Sequence, residues 1–200
     1  RKFSDTTPVS WGYFACSLPR GVAMSQRVDI ALVFPPIRTW DEPRNFPTGL
    51  GIIAAILRSE GYKVAVIDAK GEGLLIEEVQ RRIKDCAPRI VGIGGIITTY
   101  RYVRNLSRFI KAWDPSIKII VGGSVGGSIP ELMLSKNPVD AVTIGEADET
   151  VKELVRALLA RADLSKVRGI AFRDGADVVL TAPRPHIEDL DAVPLPAWDL

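Results

Sequence analysis

The sequence predicts an α/β fold in which helices cover both faces of a parallel, doubly wound sheet. Short apolar runs alternate five times with longer amphipathic stretches, at the spacing of β–α–β units. The last three runs end in glycine-rich segments, at 94–99, 122–127 and 145–146. Ligands of parallel sheets bind outside the carboxyl ends of the strands, and glycine lets the backbone approach a bulky ligand closely. These segments therefore predict a binding cleft along one edge of the sheet.

Each element follows from its own local pattern. The run at 28–34 is continuously apolar, as expected for a strand buried on both faces, and Pro35-Pro36 ends it. The helices show apolar residues at helical spacing, and Gly61 terminates the first of them. The predicted bounds are strand 28–34, helix 48–60, strand 63–68, helix 74–86, strand 90–94, helix 100–113, strand 117–121, helix 130–136, strand 141–144 and helix 149–161.

Right-handed crossovers make 2-1-3-4-5 the natural order of these five strands, as in flavodoxin-like folds. In that order the topological switch point lies between the first and third strands. The loops at 35–47 and 94–99 flank it. A large ligand is therefore expected to meet both loops.

After residue 165 the pattern changes from alternating strands and helices to short extended segments. Two alternating stretches flank Asp174-Gly175, a pair favoured in hairpin turns, and the prolines that follow favour an extended connector. The expected organisation is a poorly ordered leader at 1–26, the main domain at 27–163, a β-hairpin appendage at 164–182, and a connector to a further domain at 183–200.

Composition excludes several classes of function. The 200 residues are 46% hydrophobic, and no apolar stretch approaches the ~20 residues of a membrane-spanning helix. The net charge is +2 without a block of like charges, so neither nucleic acid nor a membrane surface is an expected partner. Cys16 and Cys86 are not spaced for zinc or a redox pair, and they suggest a reducing, cytoplasmic setting.

The glycine-rich edge also has ordinary structural interpretations. Gly122-Gly123 could form only a tight turn, and Thr98-Thr99 could cap the following helix. Glu146 could simply favour a helix dipole. No G-x-G-x-x-G motif supports a nicotinamide site.

A series of short motifs covers residues 28–200 in a specific order. They are Phe34-Pro35-Pro36, Pro47-Thr48-Gly49-Leu50, Gly61-Tyr62-Lys63-Val64 with Asp68, Val91-Gly92-Ile93, Val121-Gly122-Gly123, the run 145–150, the hairpin 169–175 and the run 190–200. This order resembles the N-terminal cobalamin-binding domain of cobalamin-dependent radical S-adenosylmethionine enzymes.

The resemblance implies a cobalamin whose nucleotide tail threads into the sheet edge. Gly122 and Gly123 match the glycine pair that makes room for the tail. Gly94-Gly95-Ile96 matches a Ser-x-Leu element, with glycine in place of serine, so that hydrogen bond is missing or comes from Thr98 or Thr99. No catalytic or metal-ligating residue is predicted. The candidate cofactor-binding residues are Pro36, Arg38, Trp40, Gly94, Gly95, Ile96, Thr98, Thr99, Gly122, Gly123, Ser124, Gly145 and Glu146.

One departure concerns the cobalt. Cobalamin carriers of the methionine-synthase type have Asp-x-His-x-x-Gly after the first strand, and its histidine ligates cobalt. Here residues 36–40 read Pro-Ile-Arg-Thr-Trp, and the only histidine is His186. The resemblance thus implies a cobalt without a histidine lower ligand. We expect Arg38 and Trp40, in the long loop 35–47, to cover the lower face of the corrin, although an ordinary surface loop is the alternative.

The resemblance also implies a larger enzyme of the methyltransferase or cyclase type. Its downstream radical barrel would carry a four-iron four-sulfur cluster on C-x-x-x-C-x-x-C, bind S-adenosylmethionine and meet a small-molecule substrate. That cysteine motif is absent here, so the chain alone is not expected to cleave S-adenosylmethionine. Two alternatives stay open: a stand-alone cobalamin carrier or sensor, and a flavodoxin-like docking domain that binds nothing.

Overall fold

Seven strands form one mixed sheet within residues 27–37 and 46–199, the part of the chain that a computed structural model describes. Their order is β2-β1-β3-β4-β5-β6-β7. The strands are β1 (Ile30–Phe34), β2 (Val64–Asp68), β3 (Ile90–Ile93), β4 (Lys118–Val121), β5 (Ala141–Thr143), β6 (Ile170–Asp174) and β7 (Asp177–Leu180). The predicted leader, Arg38 and Trp40 lie outside the described residues.

The helices lie between the strands as β–α–β crossovers require. They are α1 (Thr48–Ser59), α2 (Ile76–Cys86), α3 (Tyr100–Trp113), α4 (Ser124–Gly127), α5 (Pro130–Lys136) and α6 (Asp148–Ala160). The four-residue helix α4 was not predicted, since two of its residues are glycines and the sequence shows no helical period there. None of these helices has the length and apolar character needed to cross a bilayer.

The strand order confirms the predicted doubly wound fold. Strands β1 to β5 are parallel and adopt the order 2-1-3-4-5. The hairpin also forms, and it extends the sheet because β6 pairs antiparallel with β5 through Thr143 and Ile170. The carboxyl ends of β1, β3, β4 and β5 thus meet at a single edge.

The core has two halves, one on each face of the sheet. Side chains alternate between the faces, so Ile30 and Leu32 of β1 pack toward α1 and α6, whereas Val33 packs toward α2, α3 and α5. On the face that α1 and α6 cover, the strands carry small residues at their carboxyl ends, and the candidate site described below lies there.

Helix ends follow local chemistry closely. Gly61, with φ 86°, ends α1, and the Tyr62 N–H bonds to the Leu57 carbonyl at 3.1 Å, as in a Schellman motif. Two residues on the apolar faces of α3 and α2 lie at the margin of the core. Trp113 is 37% exposed beneath the Lys84 ammonium, and Cys86 is half-buried, which raises the pKa of its thiol.

Candidate functional site

The glycine-rich segments that follow β3 and β4 lie side by side at the carboxyl edge. The Gly122 N–H donates to the Ile93 carbonyl at 2.9 Å, and the Val125 N–H donates to the Gly95 carbonyl at 3.2 Å. Gly94 is in turn bonded through its N–H to the Val33 carbonyl at 3.1 Å. Backbone contacts therefore bring the end of β1 and the loops after β3 and β4 together around the switch point.

On the α1/α6 face, the ends of three neighbouring strands carry little side-chain volume. A Cβ added to Gly94 would lie 3.7 Å from Leu50 of α1, and one added to Gly122 would lie 3.0 Å from the Thr143 hydroxyl. We call Gly94, Gly122 and Thr143 the small-residue strip. Deeper in the sheet, Leu32 fills the space over Gly92, so the strip is open only near the edge.

The two glycines after β4 differ in what their backbone requires. Gly123 has φ 72°, and its Cβ would lie 2.4 Å from the Gly95 carbonyl oxygen. A tight turn alone therefore demands glycine at 123. Gly122 does not adopt a positive φ, and the only neighbour within 4 Å of its added Cβ among the described residues is the Thr143 hydroxyl.

The loop after β3 uses its threonine for its own turn. The Thr99 hydroxyl is buried and donates to the Ile96 carbonyl at 2.7 Å, and α3 has no side-chain cap. The prediction that Thr98 or Thr99 caps α3 is therefore wrong. The side chain of Thr98 is exposed at the edge. Ile96 and Ile97 are 40% and 47% exposed, and they give this edge an apolar surface.

The edge beyond β5 carries the remaining candidates. Gly145 has φ 75° and faces open space, and Glu146 is exposed two residues before α6 begins. Both line a depression that residues 183–187 complete, including the exposed His186. Ser124 begins α4 next to the strip, and Pro36 is half-buried directly after β1.

Asp68, at the end of β2, has a structural role. Its carboxylate accepts the Gly71 N–H at 2.7 Å and closes the turn after the strand. Burial is the main influence and raises the pKa of Asp68, while the hydrogen bond from Gly71 partly opposes it. No cluster of three or more His, Cys, Asp or Glu side chains suited to a metal ion occurs in residues 27–37 and 46–199.

Residues 183–199, the C-terminal segment, pack along the ends of α6 and α1 that border this edge. Arg184 bonds to the Thr150 hydroxyl at 3.0 Å and to Glu153 at 2.6 Å. Further along, Ala197 is buried, and its N–H donates to the Gly51 carbonyl at 3.0 Å. Sequence reasoning missed these contacts, because nothing in a proline-rich stretch indicates which surface it meets.

The fold and this edge define a doubly wound α/β domain with a candidate ligand-binding region at the ends of its parallel strands. Residues 42–155, more than half of the chain, match the B12 binding domain family. The chain belongs to this family.

Relatives of the chain are much longer proteins. An uncharacterized methyltransferase of Pyrococcus horikoshii is 31% identical over 176 residues, which are 86% of this chain and 38% of that protein. The anaerobic magnesium-protoporphyrin IX monomethyl ester cyclase of Synechocystis is 33% identical over 157 residues, or 77% of this chain and 31% of the cyclase. The chain thus spans only about a third of the relatives it matches.

A solved structure shares the fold. It is the cobalamin-dependent S-adenosylmethionine radical enzyme OxsB with aqua-cobalamin and S-adenosylmethionine bound, which superimposes with a TM-score of 0.76 at 23% identity. The match covers 87% of this chain and 24% of OxsB. The fold of this chain is therefore shared with part of OxsB.

Proposed function

We propose that this chain is the cobalamin-binding module of a radical S-adenosylmethionine enzyme of the methyltransferase or cyclase type. The observation that carries the proposal is the small-residue strip in a member of the B12 binding domain family. The strip lies at the carboxyl edge, next to the switch point, where ligands of doubly wound sheets bind. Relatives named as a methyltransferase and as a cyclase support the choice of enzyme class.

The residues at the edge fit the two parts of cobalamin. Without side chains, Gly94 and Gly122 leave backbone accessible to the narrow nucleotide tail. The exposed Ile96 and Ile97 offer an apolar surface for the flat corrin. When bound, cobalamin supplies a cobalt centre for group or electron transfer, and the protein contributes its position and surroundings.

In this proposal the remaining parts of the enzyme belong to a separate domain. The four-iron four-sulfur cluster, S-adenosylmethionine and the small-molecule substrate would all be held by a radical barrel domain, the partner of this module. The chain's two cysteines cannot provide a cluster's cysteine triad. The proposed cytoplasmic location is supported by that oxygen-sensitive chemistry and by the low number of cysteines, two in the chain.

The test is direct uptake of cobalamin. Purified protein is mixed with hydroxocobalamin and separated by gel filtration while the visible spectrum is recorded. We expect corrin absorbance to co-elute with folded protein. If folded protein emerges colourless, the proposal is wrong, and the docking-domain alternative gains support. If the chain binds cobalamin but the rest of its gene encodes no cysteine triad, a stand-alone carrier is favoured.

A further inference from the structure

The hydroxyl group of Thr143 lies at the strip and has no hydrogen-bonding partner among the described residues. Thr143 is 4% exposed, and its hydroxyl makes no hydrogen bond to any of the described residues. The hydroxyl oxygen is not one of the fully buried polar atoms of the described residues, so the small exposed area of Thr143 includes this oxygen. A ligand at the edge can therefore reach it and complete its hydrogen bonding.

The position of this hydroxyl identifies what it faces. Thr143 is the last residue of β5, adjacent to Gly122 after β4, and its oxygen lies 3.0 Å from where a Gly122 Cβ would be. The hydroxyl therefore points along the edge into the volume that Gly122 leaves free.

We infer that the Thr143 hydroxyl hydrogen-bonds to the nucleotide tail of cobalamin and makes the chain select complete corrinoids over tail-less ones. The inference rests on the proposed function and adds a residue to it. The tail carries neutral hydrogen-bonding groups on its ribose and base, which an uncharged hydroxyl suits as donor or acceptor. The amide groups on the corrin periphery could also bond to a hydroxyl, and cobinamide keeps them while lacking the nucleotide, so it is the ligand that separates the two possibilities.

Two ligands separate the tail from the corrin. Binding of hydroxocobalamin and of cobinamide, which lacks the nucleotide, is measured by equilibrium dialysis for the wild-type chain, Thr143→Val and Thr143→Ser. Valine keeps the shape and removes the hydroxyl. We expect Thr143→Val to bind cobalamin about tenfold more weakly, the loss of one buried hydrogen bond. Its affinity for cobinamide should not change, and serine should retain most of the cobalamin affinity.

A stability measurement distinguishes this role from a structural one. Without ligand, Thr143→Val should unfold at the same urea concentration as the wild type or a higher one, because it removes an unpaired hydroxyl. Ser107→Ala is the matched control, since it removes another buried hydroxyl from α3 on the opposite face, bonded to the Arg104 carbonyl at 3.1 Å. Its cobalamin affinity should not change.

The outcomes separate the inference from the function it rests on. A wild-type chain that binds no cobalamin contradicts the proposed function itself. If the wild type binds and Thr143→Val binds cobalamin equally well, the inference is overturned. It is equally overturned if Thr143→Val weakens cobalamin and cobinamide to the same extent, because the hydroxyl would then act on the corrin or on the fold. Should Thr143→Val fail to fold, the comparison of Thr143→Ser with Thr143→Ala takes its place.

Discussion

At the scale of single residues, the two glycines after β4 serve different purposes. Gly123 is fixed by the backbone, since its φ of 72° and its contact with Gly95 exclude a side chain whatever the ligand. Gly122 has no such constraint, and its missing side chain leaves room beside Thr143. Substitutions at these two neighbouring positions should therefore have opposite signatures.

We predict that Gly122→Val abolishes cobalamin uptake with little loss of stability, whereas Gly123→Ala destabilises the chain. Gly123 combines φ 72° with ψ −172°, a backbone conformation essentially restricted to glycine that costs other residues about 1–3 kcal/mol, and the contact with the Gly95 oxygen adds to this cost. Urea unfolding without ligand and dialysis against hydroxocobalamin measure the two effects. Gly61→Asn, at the opposite edge with positive φ and open space, is the control. Normal uptake by Gly122→Val would remove Gly122 from the site.

The sequence predicts the glycines of the candidate site but not Thr143. Glycines 94, 95, 122, 123 and 145 are visible as a pattern, because each follows an apolar run. Thr143 was missed, because inside an apolar run a threonine looks like an ordinary strand residue. Its importance depends on the register that places it opposite Gly122, which only the paired strands reveal.

At the scale of elements, the C-terminal segment is held to the helices at two points. Near its start Arg184, mostly buried, bonds to Thr150 and Glu153 of α6. Near its end Ala197 bonds to Gly51 of α1, and Trp198 lies against Phe46 with ring centroids 4.7 Å apart. The segment therefore borders the edge where the ligand is proposed to bind.

We predict that Arg184→Ala loosens the first part of this segment and leaves the second part docked. The loss removes a partly buried charged hydrogen bond, worth about 1 kcal/mol. Hydrogen exchange of the Gly169 amide, which donates to the Ala182 carbonyl at 2.9 Å next to this anchoring point, should quicken, while the Ala197 amide keeps its protection. Arg161→Ala, at the exposed end of α6, is the matched control. Equal exchange in both variants would show that the Arg184 contacts do not hold the segment.

The second anchoring point depends on pH. Hydrogen bonds from Arg58 to both carboxylate oxygens, at 2.9 and 2.8 Å, lower the pKa of Asp199 from its usual 3.8. An acid with a lowered folded pKa contributes stability above its unfolded pKa and loses it as the pH falls through the folded one. We predict that the Trp198 indole NMR signal stays constant from pH 7 to 5 and shifts below 3.8. In Asp199→Asn this acid transition should be absent; its persistence would assign it to another group.

At the scale of the whole molecule, alternation of apolar runs and helices is enough to predict the sheet. The order of the first five strands follows from right-handed crossovers and needs no side-chain detail. The side on which the hairpin joins, and the packing of the C-terminal segment, depend on long-range contacts such as those of Thr143 with Ile170 and of Ala197 with Gly51. Local patterns carry no signal for such pairings.

The strand order also limits which side chains could reach a cobalt bound at the switch point. His186, the only histidine of the chain, borders the depression beyond β5. The switch point between β1 and β3 is at least two strand spacings away, roughly 10 Å. A cobalt centred over the switch point would therefore lie out of reach of His186. If the nucleotide tail occupies the strip, the base that this tail carries would also lie away from the cobalt and would not coordinate it.

We accordingly predict that cobalamin binds to this chain with neither histidine nor its own base as lower ligand. Electron paramagnetic resonance of the cobalt(II) form should show no nitrogen superhyperfine splitting, because neither His186 nor the cofactor's own base would reach the cobalt. Free cobalamin at neutral pH, with its own base coordinated, is the positive control for the splitting. His186→Ala should leave the protein's spectrum unchanged. A nitrogen triplet that disappears in His186→Ala would make His186 the ligand. One that survives there would mean that the tail's base stays on cobalt and outside the strip.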